Sequence, residues 1–242
     1  MSKIQDVFKR YEKKYLLSSI QYKLLTEAVK DEFKTDKYGR CTISNIYFDT
    51  PDYKLIRESL DKPVYKEKLR LRTYETPDAD STAFIELKKK YKGIVYKRRV
   101  DMSYLKAIDY LYYNKIIENP TQIQKEIDYF ISFHKNITPA MFISYDRIAT
   151  YGVKNSDLRI TFDSNITWRN NNLELTDGVW GNKLLSSDEV LMEIKFPNSL
   201  PLWLTHILDQ LHIYQTSFSK YGTAYMQMIS GKSDLKGVDY CA

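Results

Sequence analysis

Two nearby segments alternate charged and apolar residues with a period of two. The first, 65–74, contains basic residues separated by leucines: Lys68, Leu69, Arg70, Leu71 and Arg72. In the second, 82–91, Glu86 and Lys88 lie on either side of Leu87. A period of two is the signature of a β-strand, because successive side chains point to opposite faces. Each segment therefore predicts a strand with one charged and one apolar face, and the fold must give both faces suitable surroundings.

The same alternation recurs along the chain, and segments with a helical pattern separate the strands. The predicted strands are 8–17, 42–48, 65–74, 82–91, 94–102, 142–150, 158–168 and 190–196. The predicted helices are 18–33, 52–59, 103–113, 120–134, one that begins near 199 and 223–229, and 34–40 is predicted to be a polar loop. Neither an internal repeat nor an obvious linker interrupts this order, so residues 1–242 are predicted to form a single domain.

Composition narrows the classes of function. The formal net charge of +6 favours anionic partners such as phosphates, nucleotides or nucleic acid, without deciding among them. Cys41 and Cys241 form neither a disulfide framework nor a zinc-ligand spacing, and the three histidines match no metal motif. No apolar run approaches the roughly 18 residues of a membrane span, and no glycine-rich phosphate loop occurs. A soluble, cytoplasmic protein is expected, in which side chains would hold any phosphate.

Two arrangements accommodate the charged strand faces. In the first, a half-buried antiparallel sheet leaves its polar face in water. In the second, the sheet closes into a barrel whose charged faces point inward, while helices cover its apolar outside. The amphipathic helices, the arginines and the carboxylates interspersed among the cations favour the second arrangement. We therefore expect an α+β fold built on an antiparallel closed β-barrel with peripheral helices.

A set of short motifs occurs in a characteristic order. The motifs are Glu12-Lys13-Lys14-Tyr15, Tyr47-Phe48-Asp49-Thr50, Lys68-Leu69-Arg70-Leu71-Arg72, Glu86-Leu87-Lys88, Glu193-Ile194-Lys195 and Ser219-Lys220-Tyr221. This set resembles the catalytic domain of the vacuolar transporter chaperone (VTC) family of polyphosphate polymerases, within the CYTH-like superfamily of triphosphate tunnel metalloenzymes. The resemblance covers about 8–229. The superfamily usually opens with Glu-x-Glu-x-Lys; here Arg10 replaces the first glutamate, which is similar to the polymerase branch.

The resemblance implies a site on the charged strand faces. Phosphate and nucleotide ligands would be Lys14, Lys68, Arg70, Arg72, Lys88, Lys97, Arg99, Arg147, Arg159, Lys195 and Lys220. The catalytic residues among them would be Arg70, Arg72, Arg147, Arg159 and Lys220. A divalent metal ion, Mn²⁺ or Mg²⁺, would bind Glu193, with Glu86 and Glu12 as weaker candidates, because hard cations prefer carboxylate and phosphate oxygens. A bulge in the strand that contains Lys97 and Arg99 would instead turn Arg98 inward.

Three functions are compatible with this pattern. The resemblance implies a polyphosphate polymerase that transfers the γ-phosphate of ATP to a growing chain inside a basic tunnel. If water attacks instead, the same site is a metal-dependent triphosphatase. A non-catalytic polyanion-binding module needs the cations but not the metal carboxylate. The expected partners are ATP or another triphosphate and polyphosphate, with no nucleic acid; the oligomeric state stays open.

Overall fold

The computed structural model describes residues 11–92 and 94–231. The strands are β1 (Tyr11–Ser18), β2 (Phe33–Asp49), β3 (Tyr65–Tyr74), β4 (Thr82–Tyr91), β5 (Ile94–Ser103), β6 (Thr138–Gly152), β7 (Arg159–Arg169), β8 (Asn182–Lys183), β9 (Glu189–Phe196) and β10 (Gln215–Thr216). The helices are α1 (Ser19–Ala28), α2 (Lys54–Leu60), α3 (Tyr104–Tyr113), α4 (Gln122–His134), α5 (Leu202–Gln210) and α6 (Lys220–Ser230). None of the helices in these ranges is long and apolar enough to cross a membrane.

All strands belong to one antiparallel sheet, which is open. Its order is β10-β1-β9-β7-β6-β2-β3-β4-β5, with β8 paired to β7. No pairing within residues 11–92 and 94–231 joins β5 to the opposite edge, so the prediction of a closed barrel is wrong. The free side of β1 is instead occupied by the short strand β10, which pairs with it at Lys14 and Tyr15. Side-chain alternation specifies the two faces of a sheet but not which edges meet.

The open sheet nevertheless curls strongly. A carboxylate oxygen of Glu12 on β1 lies 3.9 Å from Nζ of Lys88 on β4, although five strands separate β1 from β4 in the sheet. In addition, Lys14 Nζ donates a hydrogen bond of 2.9 Å to the Phe218 carbonyl, and Lys68 Nζ donates one of 3.2 Å to Ser219 Oγ. The segment before α6 thus connects both halves of the sheet. We call the concave side the inner face and the convex side the outer face.

The outer face is apolar, as the alternation predicts. One cluster packs leucines and isoleucines of β3 and β4 against α3 and α4: Leu69, Leu71, Ile85 and Leu87. A second cluster packs β1, β7 and β9 against α1 and α5: Tyr15, Ile160, Met192 and Ile194. Full burial of each such side chain stabilises the fold by about 1.5–3 kcal/mol. The helices therefore fix which face of each strand is turned outward.

Helix α6 covers part of the inner face. Its Tyr221, Ala224 and Tyr225 pack with apolar residues of β2, β6, β7 and β9: Ile43, Tyr47, Ile143, Trp168 and Leu191. The inner face therefore has an apolar part beneath α6 and a polar part beside it. The polar part carries the charged rows of the sequence.

One predicted loop is part of a strand. Residues 34–40 belong to β2, because the 15-residue β6 is long enough to pair with them. Thr35 faces Thr150, and pairing resumes at Arg40 opposite Ile148 after a register shift. Apart from Tyr38, the exposed residues of this ribbon are polar, so the segment gave no apolar alternation. Of the first predicted strand, 8–10 lie outside the described residues.

Asp49 is expected to be important for stability. Its fully buried carboxylate accepts hydrogen bonds from the backbone of Leu55 (2.8 Å) and Ile56 (3.0 Å) at the start of α2, and from the Tyr221 hydroxyl of α6 (2.8 Å). Asp49→Ala should lower the free energy of unfolding by roughly 2–4 kcal/mol, because these donors lose a buried charged acceptor. Urea denaturation measures the change.

Asp52→Ala is the matched control for Asp49→Ala. The Asp52 side chain is 63% exposed, where it pairs with Arg57. Surface substitutions of this kind usually change stability by less than about 0.5 kcal/mol. Equal stability losses in the two variants would contradict the role given to Asp49.

Candidate functional site

A buried carboxylate organises the half of the inner face formed by β3, β4 and β5. The Glu86 side chain on β4 is 1% exposed. Arg70 Nε lies 2.7 Å, Arg99 Nε 2.6 Å and Lys97 Nζ 2.6 Å from its oxygens, and Arg72 Nη1 lies 3.8 Å away. Burial would raise the pKa of Glu86, but these cations outweigh it and hold the pKa well below its ordinary value. Glu86 therefore holds four cations in one place.

A second buried carboxylate, Asp163 on β7, organises the opposite half. Arg147 on β6 donates two hydrogen bonds to its two oxygens, from Nε at 2.6 Å and from Nη2 at 2.7 Å. Lys220, the first residue of α6, donates a third of 2.5 Å. Burial opposes ionisation, but Lys220 and Arg147 lower the pKa of Asp163 to about 2. Asp163 was not among the predicted site residues, although it follows Arg159 and Thr161 on the same strand face.

Tyr145 lies between the two carboxylate clusters. Its hydroxyl accepts a hydrogen bond of 3.0 Å from Arg72 Nη2. Lys220 Nζ is 4.3 Å, and Arg147 Cζ is 5.1 Å, from the centre of its ring. Burial would raise the pKa of Tyr145, but Arg72, Arg147 and Lys220 outweigh it and lower the pKa to about 8. Tyr145 was not among the predicted site residues.

A less buried carboxylate pair lies where β1 meets β9. Glu193 contacts Lys195 Nζ at 2.5 Å and Lys14 Nζ at 3.8 Å, and Glu12 also lies 3.8 Å from Lys14 Nζ. Burial opposes ionisation of Glu193, but Lys195, Lys14 and Arg147 outweigh it and hold its pKa well below the ordinary value. Glu193 is therefore charged, and both carboxylates lie close to the same ammonium group, that of Lys14.

Three lysines form a row across neighbouring strands. Lys68 on β3 faces Lys88 on β4, which faces Lys97 on β5. Burial, with Lys88 and Lys66 nearby, lowers the pKa of Lys68 to about 7. Burial also lowers the pKa of Lys97 to about 8, although Glu86 opposes this shift. Such crowding of cations favours the binding of a polyanion.

The structure separates the remaining basic candidates. Lys97 and Arg99 contact Glu86, whereas Arg98 contacts Glu126 of α4, so the alternative with Arg98 inward does not occur. Arg159 is exposed at the rim of the inner face, where it faces Lys195 in the sheet and its Nε lies 3.4 Å from the Ser156 carbonyl. Unlike Arg70, Arg72 and Arg147, Arg159 is not in a buried cluster.

The three candidate metal ligands differ in their surroundings. Within residues 11–92 and 94–231, no three His, Cys, Asp or Glu side chains form a group that could hold a metal ion. Glu86 is already surrounded by four cations and is inaccessible. Glu193 is buried but retains 10% of its side-chain exposure, and Glu12 retains 23%. Two carboxylates suffice when substrate phosphates complete the coordination, as is usual for Mg²⁺.

The lysine row leads to a pH prediction. A polyanion binds best when Lys68 and Lys97 are protonated, and their pKa values are about 7 and about 8 in the free protein. Metal-free affinity for polyphosphate should therefore fall as pH rises above 7, by up to about tenfold per pH unit for each proton taken up on binding. Calorimetry between pH 6.5 and pH 9 measures this.

Lys68→Met is the control for the pH prediction. Because methionine is uncharged at every pH, polyphosphate affinity should change less steeply with pH in this variant than in the parent. Phosphate ionises further near pH 6, which would raise affinity with pH. A flat or rising affinity in the unsubstituted protein would contradict the prediction.

Solved structures share this fold. A Bacillus halodurans protein provisionally named an adenylate cyclase is 16% identical, with a TM-score of 0.53 over 89% of this chain and 96% of its own. A similarly named Vibrio parahaemolyticus protein is 11% identical, with a TM-score of 0.50 over 90% and 99%. A provisionally named adenylyl cyclase from Hippeastrum, described as having a dominant triphosphatase activity, is 16% identical, with a TM-score of 0.56 over 95% and 99%. At these identities the similarity shows the fold alone.

The sequence also matches a family model. The VTC domain model matches residues 9–229, nearly the whole chain, and no curated protein matches. The chain therefore belongs to the VTC domain family, and it shares its fold with these solved structures. The resemblance predicted from the ordered motifs is confirmed.

Proposed function

We propose that this protein is a polyphosphate polymerase that transfers the γ-phosphoryl group of ATP to the end of a polyphosphate chain. Family membership and the fold support a triphosphate-processing or polyphosphate-related role. The observation that carries the proposal is the pair of buried carboxylates, Glu86 and Asp163, each of which holds arginine and lysine side chains on one concave face. Such a face can surround an extended triphosphate with cations.

The cations are positioned before substrate arrives. Arg70 is held by Glu86 and by the Tyr47 hydroxyl at 3.1 Å, and Arg147 is held bidentately by Asp163. Charged donors held in fixed positions stabilise developing negative charge without a reorganisation cost at the moment of reaction. Arginine also matches phosphate oxygens bidentately. In this proposal Arg70, Arg72, Arg147 and Lys220 hold the β- and γ-phosphates, and Arg159 at the rim meets the nucleotide as it enters.

A divalent cation fits beside Glu193 and Glu12. When bound, Mn²⁺ or Mg²⁺ would neutralise charge on the phosphate oxygens. The chain's own contribution there is the two carboxylates, whose present partners, Lys14 and Lys195, carry their ammonium groups on flexible stems that can turn toward phosphate. Glu86 would serve as the counter-ion that holds the arginines.

The polyphosphate acceptor is proposed to lie along Lys68 and Lys88. Lys68 donates to Ser219 Oγ, and within the described part of the chain it forms no direct ion pair with a carboxylate. A terminal phosphate oxygen attacks the γ-phosphorus in line, a new P–O bond forms, and the bond to the β–γ bridging oxygen breaks so that ADP leaves with it. No covalent enzyme intermediate is required, since positioning and charge stabilisation account for most of catalysis in phosphoryl transfer.

Hydrolysis is the second candidate. The similar fold of the Hippeastrum protein, described as having a dominant triphosphatase activity, favours it. The same residues would hold the triphosphate, and water would attack instead of a phosphate chain end. The product is then orthophosphate.

Product analysis separates the candidates. The protein is incubated with ATP and Mn²⁺, with and without a short polyphosphate primer, and the products are resolved by gel electrophoresis and phosphate assay. A polymerase gives long chains with one ADP for each phosphate added. Free orthophosphate in place of chains would indicate a triphosphatase. Unchanged ATP would indicate that the protein is a non-catalytic polyanion-binding module.

A further inference from the structure

Two buried side-chain hydroxyl oxygens in the described part of the chain have no hydrogen-bond partner. They are Ser144 Oγ on β6 and Thr161 Oγ1 on β7. An unpartnered polar atom in a protein interior typically costs about 1–3 kcal/mol, so native structures contain few of them. Such an atom calls for an explanation, and one explanation is a bound ligand that supplies the missing partner.

The two hydroxyls lie on opposite faces of the sheet. Strand alternation places Ser144, between Ile143 and Tyr145 of the inner face, on the outer face. Thr161 lies between Ile160 and Phe162, which pack into the outer cluster, so its side chain belongs to the inner face. Of the two, only Thr161 is part of the charged surface described above.

The neighbours of Thr161 explain why its hydroxyl lacks a partner. On one side Thr161 faces Glu193, whose oxygens are engaged by Lys195 and Lys14. On the other side it faces Ala149, which offers only a methyl group. No neighbouring side chain of the described residues is placed to satisfy the hydroxyl.

Thr161 also lies on the path between cations. On β7, Thr161 lies two residues after Arg159 of the rim and two residues before Asp163. Asp163 in turn holds Arg147 and Lys220. Successive residues on one strand face are roughly 7 Å apart. A phosphate chain that extends from Arg159 to Arg147 therefore passes over Thr161.

We infer that the Thr161 hydroxyl is a substrate-binding group that donates a hydrogen bond to a non-bridging oxygen of the bound triphosphate, an inference that rests on the proposed function. Only 7% of Thr161 is exposed. Its hydroxyl can nevertheless turn toward a ligand, because rotation about χ1 between staggered positions exchanges the hydroxyl with the methyl group without moving the backbone. A phosphate oxygen supplies the hydrogen-bond acceptor that none of the protein neighbours of Thr161 offers.

The test compares isosteric and conservative substitutions. Thr161→Val keeps the shape and removes the donor, whereas Thr161→Ser keeps the donor. Tripolyphosphate is titrated into each full-length variant without metal by calorimetry. The valine variant should bind roughly tenfold more weakly, because a hydrogen bond to a charged group is lost, and the serine variant should stay within about twofold of the parent.

Stability and a matched control exclude a structural explanation. Thr161→Val should unfold at the same temperature as the parent or higher, because an unpartnered hydroxyl is removed. Ser144→Ala removes the other unpartnered hydroxyl, on the outer face, and should leave tripolyphosphate affinity unchanged.

Three results would overturn the inference. Parent-like affinity in Thr161→Val would overturn it while leaving the proposed function intact. Weaker binding that accompanies a lowered unfolding temperature in the valine and serine variants alike would reduce Thr161 to a structural role. A parent protein that neither binds tripolyphosphate nor turns over ATP would overturn the inference together with the proposed function.

Discussion

Glu193→Gln should lower metal-dependent turnover by about 10³-fold or more. A metal ion supplies several kcal/mol of charge stabilisation in phosphoryl transfer, and about 4 kcal/mol corresponds to this factor. Glu193 is a charged carboxylate at the edge of burial, with 10% of its side chain exposed, whose nearest partners are Lys195 and Lys14. Glutamine preserves its shape and removes its charge. Metal-free binding of tripolyphosphate should be unchanged or tighter, because one repelling charge has gone.

The two other carboxylates serve as graded controls. Product formation is measured against Mn²⁺ concentration for the parent, Glu193→Gln, Glu12→Gln and Glu86→Gln. Glu12→Gln should raise the Mn²⁺ midpoint modestly, since Glu12 is the second proposed ligand. Glu86→Gln should lower turnover at an unchanged midpoint, because Glu86 holds arginines rather than metal. A normal midpoint and near-normal turnover in Glu193→Gln would remove that residue from the metal site.

Arg147→Ala should lower turnover by roughly 10²–10³-fold, as expected for the loss of a fixed donor to developing charge. Arg147 is bound bidentately to the buried Asp163, beside Tyr145 and Lys220. Arg159→Ala should lower turnover only about tenfold, because Arg159 is an exposed rim residue and solvent-screened charge contacts contribute less to binding and catalysis. Steady-state kinetics with ATP measure both variants under identical conditions.

Folding must be checked in the Arg147 comparison. Removal of Arg147 leaves the 1% exposed Asp163 with Lys220 as its remaining charged partner. Arg147→Lys retains the charge but not the bidentate geometry, so it should recover only part of the activity. Equal losses of turnover in Arg147→Ala and Arg159→Ala would contradict the distinction between the buried cluster and the rim.

Local alternation made the two faces of the sheet predictable. Leu69 and Leu71 face the outer helices, whereas Arg70 and Arg72 face inward, because a strand sends neighbouring side chains to opposite sides. The position of Glu86 on the inner face followed from the same rule, whereas the choice between Lys97 with Arg99 and Arg98 stayed open until the structure showed the strand's register.

Long-range features were not predictable in this way. Sheet closure depends on which edges meet, and the pairing of β10 with β1 at Lys14 is not encoded in any local pattern. The placement of α6 inside the curled sheet, where Lys220 reaches Asp163, depends on a contact across 57 residues. Asp163 and Tyr145 were missed because their roles arise from the side chains brought around them, not from their own strand positions.

The most direct test of the account is a crystal structure of the full chain with a non-hydrolysable ATP analogue and Mn²⁺. We predict that the β- and γ-phosphates lie on the inner face between the Glu86 and Asp163 clusters, in contact with Arg70 and Arg147, with the metal ion at Glu193. Phosphates bound instead on the outer face, for example at Lys89 and Arg98, which pair with Glu126 of α4, would contradict it.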